Sequence, residues 1–580
     1  MPDKTTTGFM RSLCMGHIEQ EVLFPFPVMS PDQKEMLHDI TGALEDLLGS
    51  HTEDFRQWDV DGDMPTEFID QLKEFGLFSL IIPEAHGGLG LGNMAYSRTL
   101  QEVGRYDASV AVTIGAHSSI GMRGLLLFGT DEQKDRFMPQ LASGELIAAF
   151  CLTEPGAGSD AAAIKTTAVR QGDQWVLNGN KLWITNGGFA GFFTVFARTG
   201  TEGEHGKMTA FIVTRDMTGV SIGPHEDKMG LRASSTTTVQ FDDVQVPAEN
   251  VLGEPGMGFK VAMQILNSGR TGLGGGSVGG MKHLIELSTQ QANERKTFGQ
   301  PISSYGLVKE KIGRMVVDCY TSEAVVTMVG GLIDGGYKEY AIEAAISKVY
   351  ATECLSRSAD EALQIAGGNG FMREYPYERI VRDSRINRIF EGTNEILRLF
   401  IALTAINDVA SQLKDLAAFM KGKLNDPIKG FGVLSDYALK HAQLKTGLGG
   451  SAELHDLHET IRPQADLFED QTRYLAQAAD RILRKHGKNI IGKQFATKRL
   501  ADIMIDLFVM ACTLSRVQAS IDTMGAEKAS REIEILRVFS SDSQVRIKQN
   551  FRQIDNNEDD LLKALAEDAC QAERFRWDTI

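Results

Sequence analysis

The chain has 580 residues, a formal net charge of -17, and 42% hydrophobic and 24% charged residues. That length exceeds one hydrophobic core and predicts three or four domains. The acidic balance excludes nucleic acid as a general partner, because a phosphate backbone would be repelled. The six cysteines form no CxxC pair, which predicts a reducing compartment and no metal or disulfide framework.

Residues 1–31 read as an N-terminal extension without a secretory apolar core. Residues 32–150 read as a helical domain: apolar positions recur at helical spacing over 36–48 and 68–78, and the Pro83–Gly88 stretch breaks the pattern as a loop. From 151 to 255 the texture changes to short β-branched or alternating runs such as 175–177, 209–213 and 237–241, punctuated by Gly, Asn and Asp. This predicts a small antiparallel β domain. Residues 256–410 return to helical texture, with long amphipathic stretches over 310–330 and 343–365, and read as a helical bundle.

Residues 411–455 are rich in turn formers and read as a linker or membrane-contacting loop. Lys421, Lys423, Lys429, Lys440 and Lys445 alternate there with Ile428, Phe431, Val433 and Leu434, a pattern suited to a membrane surface or to a solvated loop. Residues 456–580 carry helical stripes over 467–486 and 495–523 and form an additional C-terminal helical domain. The predicted class is α+β multidomain, in the order helical, β, helical bundle, extra helical. Runs such as 505–512 are too short to span a bilayer, which takes about 20 apolar residues.

Five motifs carry chemistry. In Cys151–Asp160, Gly156 and Gly158 follow Pro155 between hydroxyl residues, making a turn whose backbone N–H groups suit an anion or a heteroaromatic edge; an ordinary Gly-Ser turn reads the same way. In Lys181–Gly187, Trp183 beside Thr185 suits the back of a planar ring or a place in the core. In Glu294–Gln300, Arg295 suits a pyrophosphate or a helix C-terminal dipole. Gln364–Phe371 holds three glycines within four residues, more than a C-cap needs. In Arg388–Arg398, Glu391 follows an apolar pair and precedes Gly392, while Thr393 or Asn394 can cap the next helix. A carboxylate among apolar groups becomes a base near neutral pH; a solvated loop Glu is the bland alternative.

Together, in this order, the motifs resemble the acyl-CoA dehydrogenase family over about residues 35–405. The segments 22–27, 115–121 and 305–311, and the extra helical domain, are similar to its very-long-chain branch. The resemblance implies FAD, an acyl-CoA substrate and a base that removes the Cα proton while Cβ gives a hydride to the flavin. It assigns the base to Glu391, with its backbone N–H and a ribityl hydroxyl as donors to the thioester oxygen. Gly392 gives the substrate room. Relatives that place the base on a helix have it where Gly269 stands here, before Arg270.

The same resemblance assigns Leu152, Thr153, Ser159, Trp183 and Thr185 to the flavin ring, with Ser159 also near substrate. It assigns Arg295, Thr297, Phe298, Gln364 and Gly368 to the pyrophosphate and adenosine, partly from a neighbouring subunit, and Thr393 and Asn394 to further FAD contacts. Asn267 and Arg270 fall on the CoA side, although the family often has an acid where Asn267 stands. Ala111 and Gly115 share a helix face that suits either an acyl channel or close helix packing. The resemblance further implies reoxidation by an electron-transfer flavoprotein, a homodimer and peripheral membrane contact. A Met start without a clear presequence favours the bacterial cytoplasm, peripherally at the inner membrane, or the matrix side of the mitochondrial inner membrane in a eukaryote. An acyl-CoA oxidase and an assembly factor with a secondary dehydrogenase activity are the alternative readings.

Overall fold

The computed structural model describes residues 8–200, 206–407, 409–410 and 452–579. Residues 411–451, which include the lysine-rich segment read as a membrane-contacting loop, lie outside them. The chain divides into two compact units, one spanning residues 26–396 and the other joining the N-terminal segment up to Pro25 with residues from 397 onward.

The first unit opens with α1 (Pro31–Gly49), where Ser30 and Gln33 form a reciprocal capping box and Pro31 pre-sets the first helical φ. Then come α2 (Thr52–Asp61) and α3 (Thr66–Glu74). The helix expected to reach residue 78 stops at Glu74, because Gly76 turns the chain at φ +84°. Next are α4 (Asn93–Tyr106) and α5 (Ala108–Gly115), joined at Asp107, whose carboxylate accepts from the Val110 N–H at 3.0 Å. A π-turn over Ala116–Gly121 follows, then α6 (Arg123–Phe128) and α7 (Asp131–Ser143).

The β domain holds β1 (Ala148–Cys151), β2 (Thr167–Gln171), β3 (Gln174–Thr185), β4 (Phe192–Thr199), β5 (Lys207–Thr214), β6 (Val220–Ile222), β7 (Thr236–Pro247) and β8 (Val251–Leu252). They form one sheet in the order β6-β7-β3-β2-β4-β5-β8, with β1 alongside β4. Pairing is mostly antiparallel, as the alternating runs suggest; β1 and β2 meet β4 in parallel. The long β3–β7 ladder slips register twice, once between Lys181 and Ile184. A bulge re-aims side chains, and here it contains Trp183 at φ +57°.

The helical bundle consists of α8 (Gly258–Glu294), α9 (Gly306–Asp334), α10 (Ala341–Ala366), α11 (Tyr377–Arg385) and the start of α12 (Asn394–Ala405). Helix α8 packs against α4 and α10. Its glycines set how close α4 comes: a Cβ at Gly279 would lie 1.9 Å from the Gln101 carbonyl oxygen. Among the described residues, 108–128 and 306–334 are long and apolar enough to cross a membrane, yet more than half of each window is buried inside the protein, as core helices are.

The second unit contains α13 (Arg462–His486), α14 (Gln494–Met524), α15 (Ser530–Asp555) and α16 (Asp559–Ala572). The N-terminal extension is part of this unit's core. Phe9, Met10 and Leu13 are fully buried, the Phe9 ring lies 6.0 Å from that of Phe508, and Ser515 donates to the Leu23 carbonyl. Gln20 brackets His455, accepting from its N–H at 2.8 Å and donating to its carbonyl at 3.0 Å. An apolar segment with nowhere else to bury itself folds onto the helices at the other end of the chain.

One buried histidine ties the π-turn down. His117 Nε2 lies 3.1 Å from the Phe78 carbonyl, so it donates, and Nδ1 accepts from the Ala148 N–H at 3.0 Å. This tautomer is neutral, and burial pushes its pKa down to about 4. The unfolded chain therefore binds the extra proton below about pH 6.5 while the folded chain refuses it. Stability is full above that pH and falls as the medium is acidified, by about 2 kcal/mol at pH 5 from this group. Denaturant unfolding of the wild type and His117→Gln between pH 7 and 5 checks this: the variant should lose that part of the slope.

Candidate active site

Glu391 sits on a loop between the 3-10 turn Ile386–Arg388 and α12. Its φ is +58° and that of Gly392 is +92°. A glutamate in the left-handed region costs on the order of 1–2 kcal/mol, so surrounding contacts must hold it. The Thr393 hydroxyl accepts from the Ile396 N–H at 3.3 Å and caps α12. Arg270 Nε on α8 donates to the Glu391 carbonyl at 3.3 Å. Lys348 Nζ on α10 donates to the Gly392 carbonyl at 2.9 Å and to Asn394 Oδ1 at 2.7 Å. Asn394 Nδ2 in turn donates to Thr352 Oγ1 at 3.2 Å and Glu353 Oε1 at 3.1 Å.

The Glu391 carboxylate itself is left unsatisfied: Oε2 is buried and accepts no hydrogen bond. Burial pushes its pKa up to about 7, against the pull of Arg270 and Lys348. The backbone N–H of Glu391 also donates to no described residue. Gly269 makes the space for the carboxylate, since a Cβ there would lie 2.8 Å from Oε2 and 2.7 Å from Ile120 Cγ2. A side chain on α8 at this point and the Glu391 side chain compete for one volume.

Further candidate residues lie on β1, on β3 and, separately, at the end of α10. Leu152 is buried, Thr153 and Thr185 are half-buried, and Ser159 is exposed. Trp183 is 62% exposed, which removes the core reading of that residue. The turn at 152–159 is pinned from below by a buried ion pair: Lys181 Nζ donates to Glu154 Oε1 at 2.6 Å and to the Leu152 carbonyl at 3.3 Å, while the Lys165 and Thr166 N–H groups donate to the same carboxylate. Gly156 and Gly158 above it face open space. Gln364, Gly367 and Gly368 are exposed at the end of α10, and Cβ atoms at Gly367 and Gly368 would meet nothing.

Arg295 caps α8, and Thr297 and Phe298 follow in a two-stranded hairpin; Phe298 is 97% exposed at φ +51°. Asn394 is buried, and its amide joins Lys348, Thr352 and Glu353. Arg270 is buried too and holds the Glu391 carbonyl and Asn267 Oδ1, the latter at 2.7 Å. Buried polar groups such as these take partners from the protein around them.

Ala111 lines a narrow cleft of about 70 Å³ with Gly104, Leu273, Gly276 and Leu355, while Gly115, one turn along, faces open space. These residues come from α4, α5, α8 and α10, and α8 also carries Gly269 and Arg270.

Four family models match in succession: the acyl-CoA dehydrogenase N-terminal domain over 31–145, middle domain over 149–244 and C-terminal domain over 256–406, then the ACAD9/ACADV C-terminal domain over 459–575. This chain belongs to the acyl-CoA dehydrogenase family. It is similar to the mitochondrial very long-chain specific acyl-CoA dehydrogenases of Bos taurus, 41% identical over 97% of this chain and 84% of that protein, and of Homo sapiens, 41% identical over 94% and 86%. Among solved structures it resembles a Bacillus anthracis acyl-CoA dehydrogenase complexed with FAD, with a TM-score of 0.80 and 34% identity over 96% of this chain and 94% of that one. As a family member it is an FAD-dependent oxidoreductase that dehydrogenates acyl-CoA in fatty-acid β-oxidation.

Within this dehydrogenase four participants escaped the sequence reading. Lys348 offered one signal, a lone cation in the apolar run 341–351. Glu154 and Lys181 lay inside the motifs, but nothing in their spacing showed that they pair. Gly269 was noted only as unable to act as a base.

The geometry gives two expected outcomes. Lys181→Met leaves Glu154 buried without its cation, at a cost of about 3–5 kcal/mol, so thermal unfolding should drop and bound flavin should be lost. Gly269→Ala displaces the Glu391 carboxylate; kcat should fall about tenfold or more while the flavin spectrum and melting temperature stay close to wild type.

Proposed function

We propose that Glu391 is the base that removes the Cα proton of a long or very-long-chain acyl-CoA, giving the trans-2-enoyl-CoA. The carrying observation is its buried, unpaired Oε2, whose pKa lies at about 7. A base near neutrality is part-deprotonated at working pH yet strong enough to take the proton. An ordinary Cα–H is too weakly acidic for a carboxylate alone, so the thioester oxygen must be stabilised as charge develops. The free backbone N–H of Glu391 supplies one donor, and the left-handed turn at Glu391–Gly392 presents N–H and carboxylate on one short segment. Gly392 adds no side chain above it.

FAD, when bound, accepts the hydride that leaves Cβ. The residues present fit it. Trp183 stands out from its strand to back a ring, and the turn carrying Leu152, Thr153 and Ser159 is held rigid by the Glu154–Lys181 pair with open glycines above it. Thr185 adds a hydroxyl. Arg295, Thr297, exposed Phe298, Gln364 and the open Gly368 serve the pyrophosphate and adenosine, partly across a homodimer, and Thr393 adds a contact from the loop.

Asn267 sits on the substrate side of α8. Ala111 and Gly115 leave room for a long tail, each buried CH₂ of which adds about 0.8 kcal/mol of binding. The similarity to very long-chain specific acyl-CoA dehydrogenases favours the same chain-length class. The reduced cofactor passes its electrons to an electron-transfer flavoprotein. Peripheral contact with the bacterial inner membrane, or with the mitochondrial inner membrane in a eukaryote, suits so apolar a substrate.

Anaerobic mixing with butyryl-, octanoyl-, palmitoyl- and longer acyl-CoAs, followed by flavin absorbance, tests the whole reading. Bleaching should be fastest with palmitoyl or longer chains and should rise with pH through about 7 as Glu391 deprotonates. Glu391→Gln should stay yellow and lose turnover by about a thousandfold or more; substantial residual turnover would sink the base assignment.

A further inference from the structure

We propose that Lys348 is a positioning residue for the dehydrogenation. Its ammonium ties down the carbonyl just after Glu391 and supplies the positive charge that keeps the Glu391 carboxylate ionised. The inference rests on the reading of Glu391 as the base and adds to it a residue that never touches substrate.

Three observations carry it. First, Lys348 is fully buried in the middle of α10, where a cation is costly without compensation. Its two hydrogen-bond acceptors, the Gly392 carbonyl and Asn394 Oδ1, are both neutral. Hydrogen bonds to neutral groups do not balance a buried charge, so the balance comes from a carboxylate nearby. Second, of the charges acting on Lys348 the strongest attraction is from Glu391, ahead of Glu353 on the same helix and Glu395 on α12, while Arg270 on α8 repels it. Reciprocally, Arg270 and Lys348 are the two groups that pull the Glu391 proton off; from the π-turn, Ile120 reaches the same space and carries no charge.

Third, the atoms that Lys348 grips belong to the strained turn. The Glu391–Gly392 peptide holds two successive positive φ angles. Lys348 anchors its far end through the Gly392 carbonyl, and Arg270 anchors its near end through the Glu391 carbonyl. Releasing one anchor lets the turn relax toward ordinary φ values, which would swing both the carboxylate and the N–H away from a thioester.

The two cations are not equivalent. Burial lowers Arg270 to about 10, so it keeps its charge through neutral pH. Burial pushes Lys348 down and Glu391 up, so their proton affinities are brought together. Groups so placed titrate as a pair. When Glu391 takes the substrate proton it loses its charge, Lys348 loses its strongest counter-ion, and the proton is thereby favoured to leave again. Lys348 thus opposes permanent protonation of the base between turnovers.

The sign follows. Removing the Lys348 charge leaves Glu391 with only Arg270 to stabilise its ionised form, so the carboxyl binds its proton more tightly. Because the base works only when deprotonated, the acid limb of the pH profile moves to higher pH.

The test uses the full-length holoenzyme with palmitoyl-CoA and compares wild type, Lys348→Met, Lys348→Gln and Glu391→Gln over pH 6–10. Flavin content and melting temperature are measured alongside. Lys348→Met is expected to move the acid limb of kcat up by about one pH unit, with roughly tenfold loss at pH 7 that narrows toward pH 9. KM should stay within about twofold, since no substrate contact is removed. Lys348→Gln should show the same shift with a smaller loss at high pH, because its amide can still reach one acceptor.

An unmoved acid limb in a variant that keeps its flavin overturns the inference, as does a loss carried by KM alone. Failure of both variants to fold with flavin also overturns it, by assigning Lys348 to folding. Glu391→Gln separates the two levels: if it retains turnover the base assignment fails, whereas if it is dead at every pH and Lys348→Met shows no shift, only the role of Lys348 fails.

Discussion

The site depends on one unfavourable arrangement: a glutamate held with left-handed backbone and a buried, unpaired carboxylate oxygen. Neither feature would persist in an isolated loop. The left-handed turn survives because α8 and α10 grip its two carbonyls, through Arg270 and Lys348. The unpaired oxygen survives because Gly269 vacates the volume into which it points. Packing spread over a long bundle thus bears on five residues, and the result is a carboxyl whose pKa is raised to about 7.

The same logic recurs at the second half of the site. The turn at 152–159 exposes backbone that has no partners of its own, and it is rigid because a fully buried Lys181–Glu154 pair and two backbone N–H groups fix it from beneath. Buried ion pairs are weak sources of net stability, since desolvation offsets attraction. Their value here is geometric: the pair fixes where Leu152 and the following residues sit relative to β3 and the bulge that turns Trp183 outward. The two halves therefore share a design in which buried cations hold carbonyl oxygens so that reactive or ligand-facing groups can stay unsatisfied.

Much of the architecture was legible beforehand. Helical spacing marked α1, α9, α10, α13 and α14 to within several residues, and β-branched alternation marked β3, β5 and β7. These signals are local, so a single sequence carries them. The short β1, β6 and β8 were less visible, because two to four residues show no period. The N-terminal extension was read without a place in the fold; its apolar Phe9, Met10 and Leu13 find their burial on helices nearly five hundred residues later, a pairing that no local pattern encodes.

The sequence by itself determined the helical, β, helical order of the chain and the motifs whose resemblance to the family points to Glu391. Those depend on periodicity and motif order along the chain. Tertiary structure alone decided that Trp183 faces outward, that Asn394 and Arg270 turn inward, that Gly269 and Glu391 share one volume, and that Lys348 lies against the loop at Gly392. The reason is physical. Burial, and hence the pKa of a carboxyl or an amine, is set by which atoms arrive from distant segments, and a distance of forty or a hundred residues in sequence becomes a hydrogen bond only when the helices have packed.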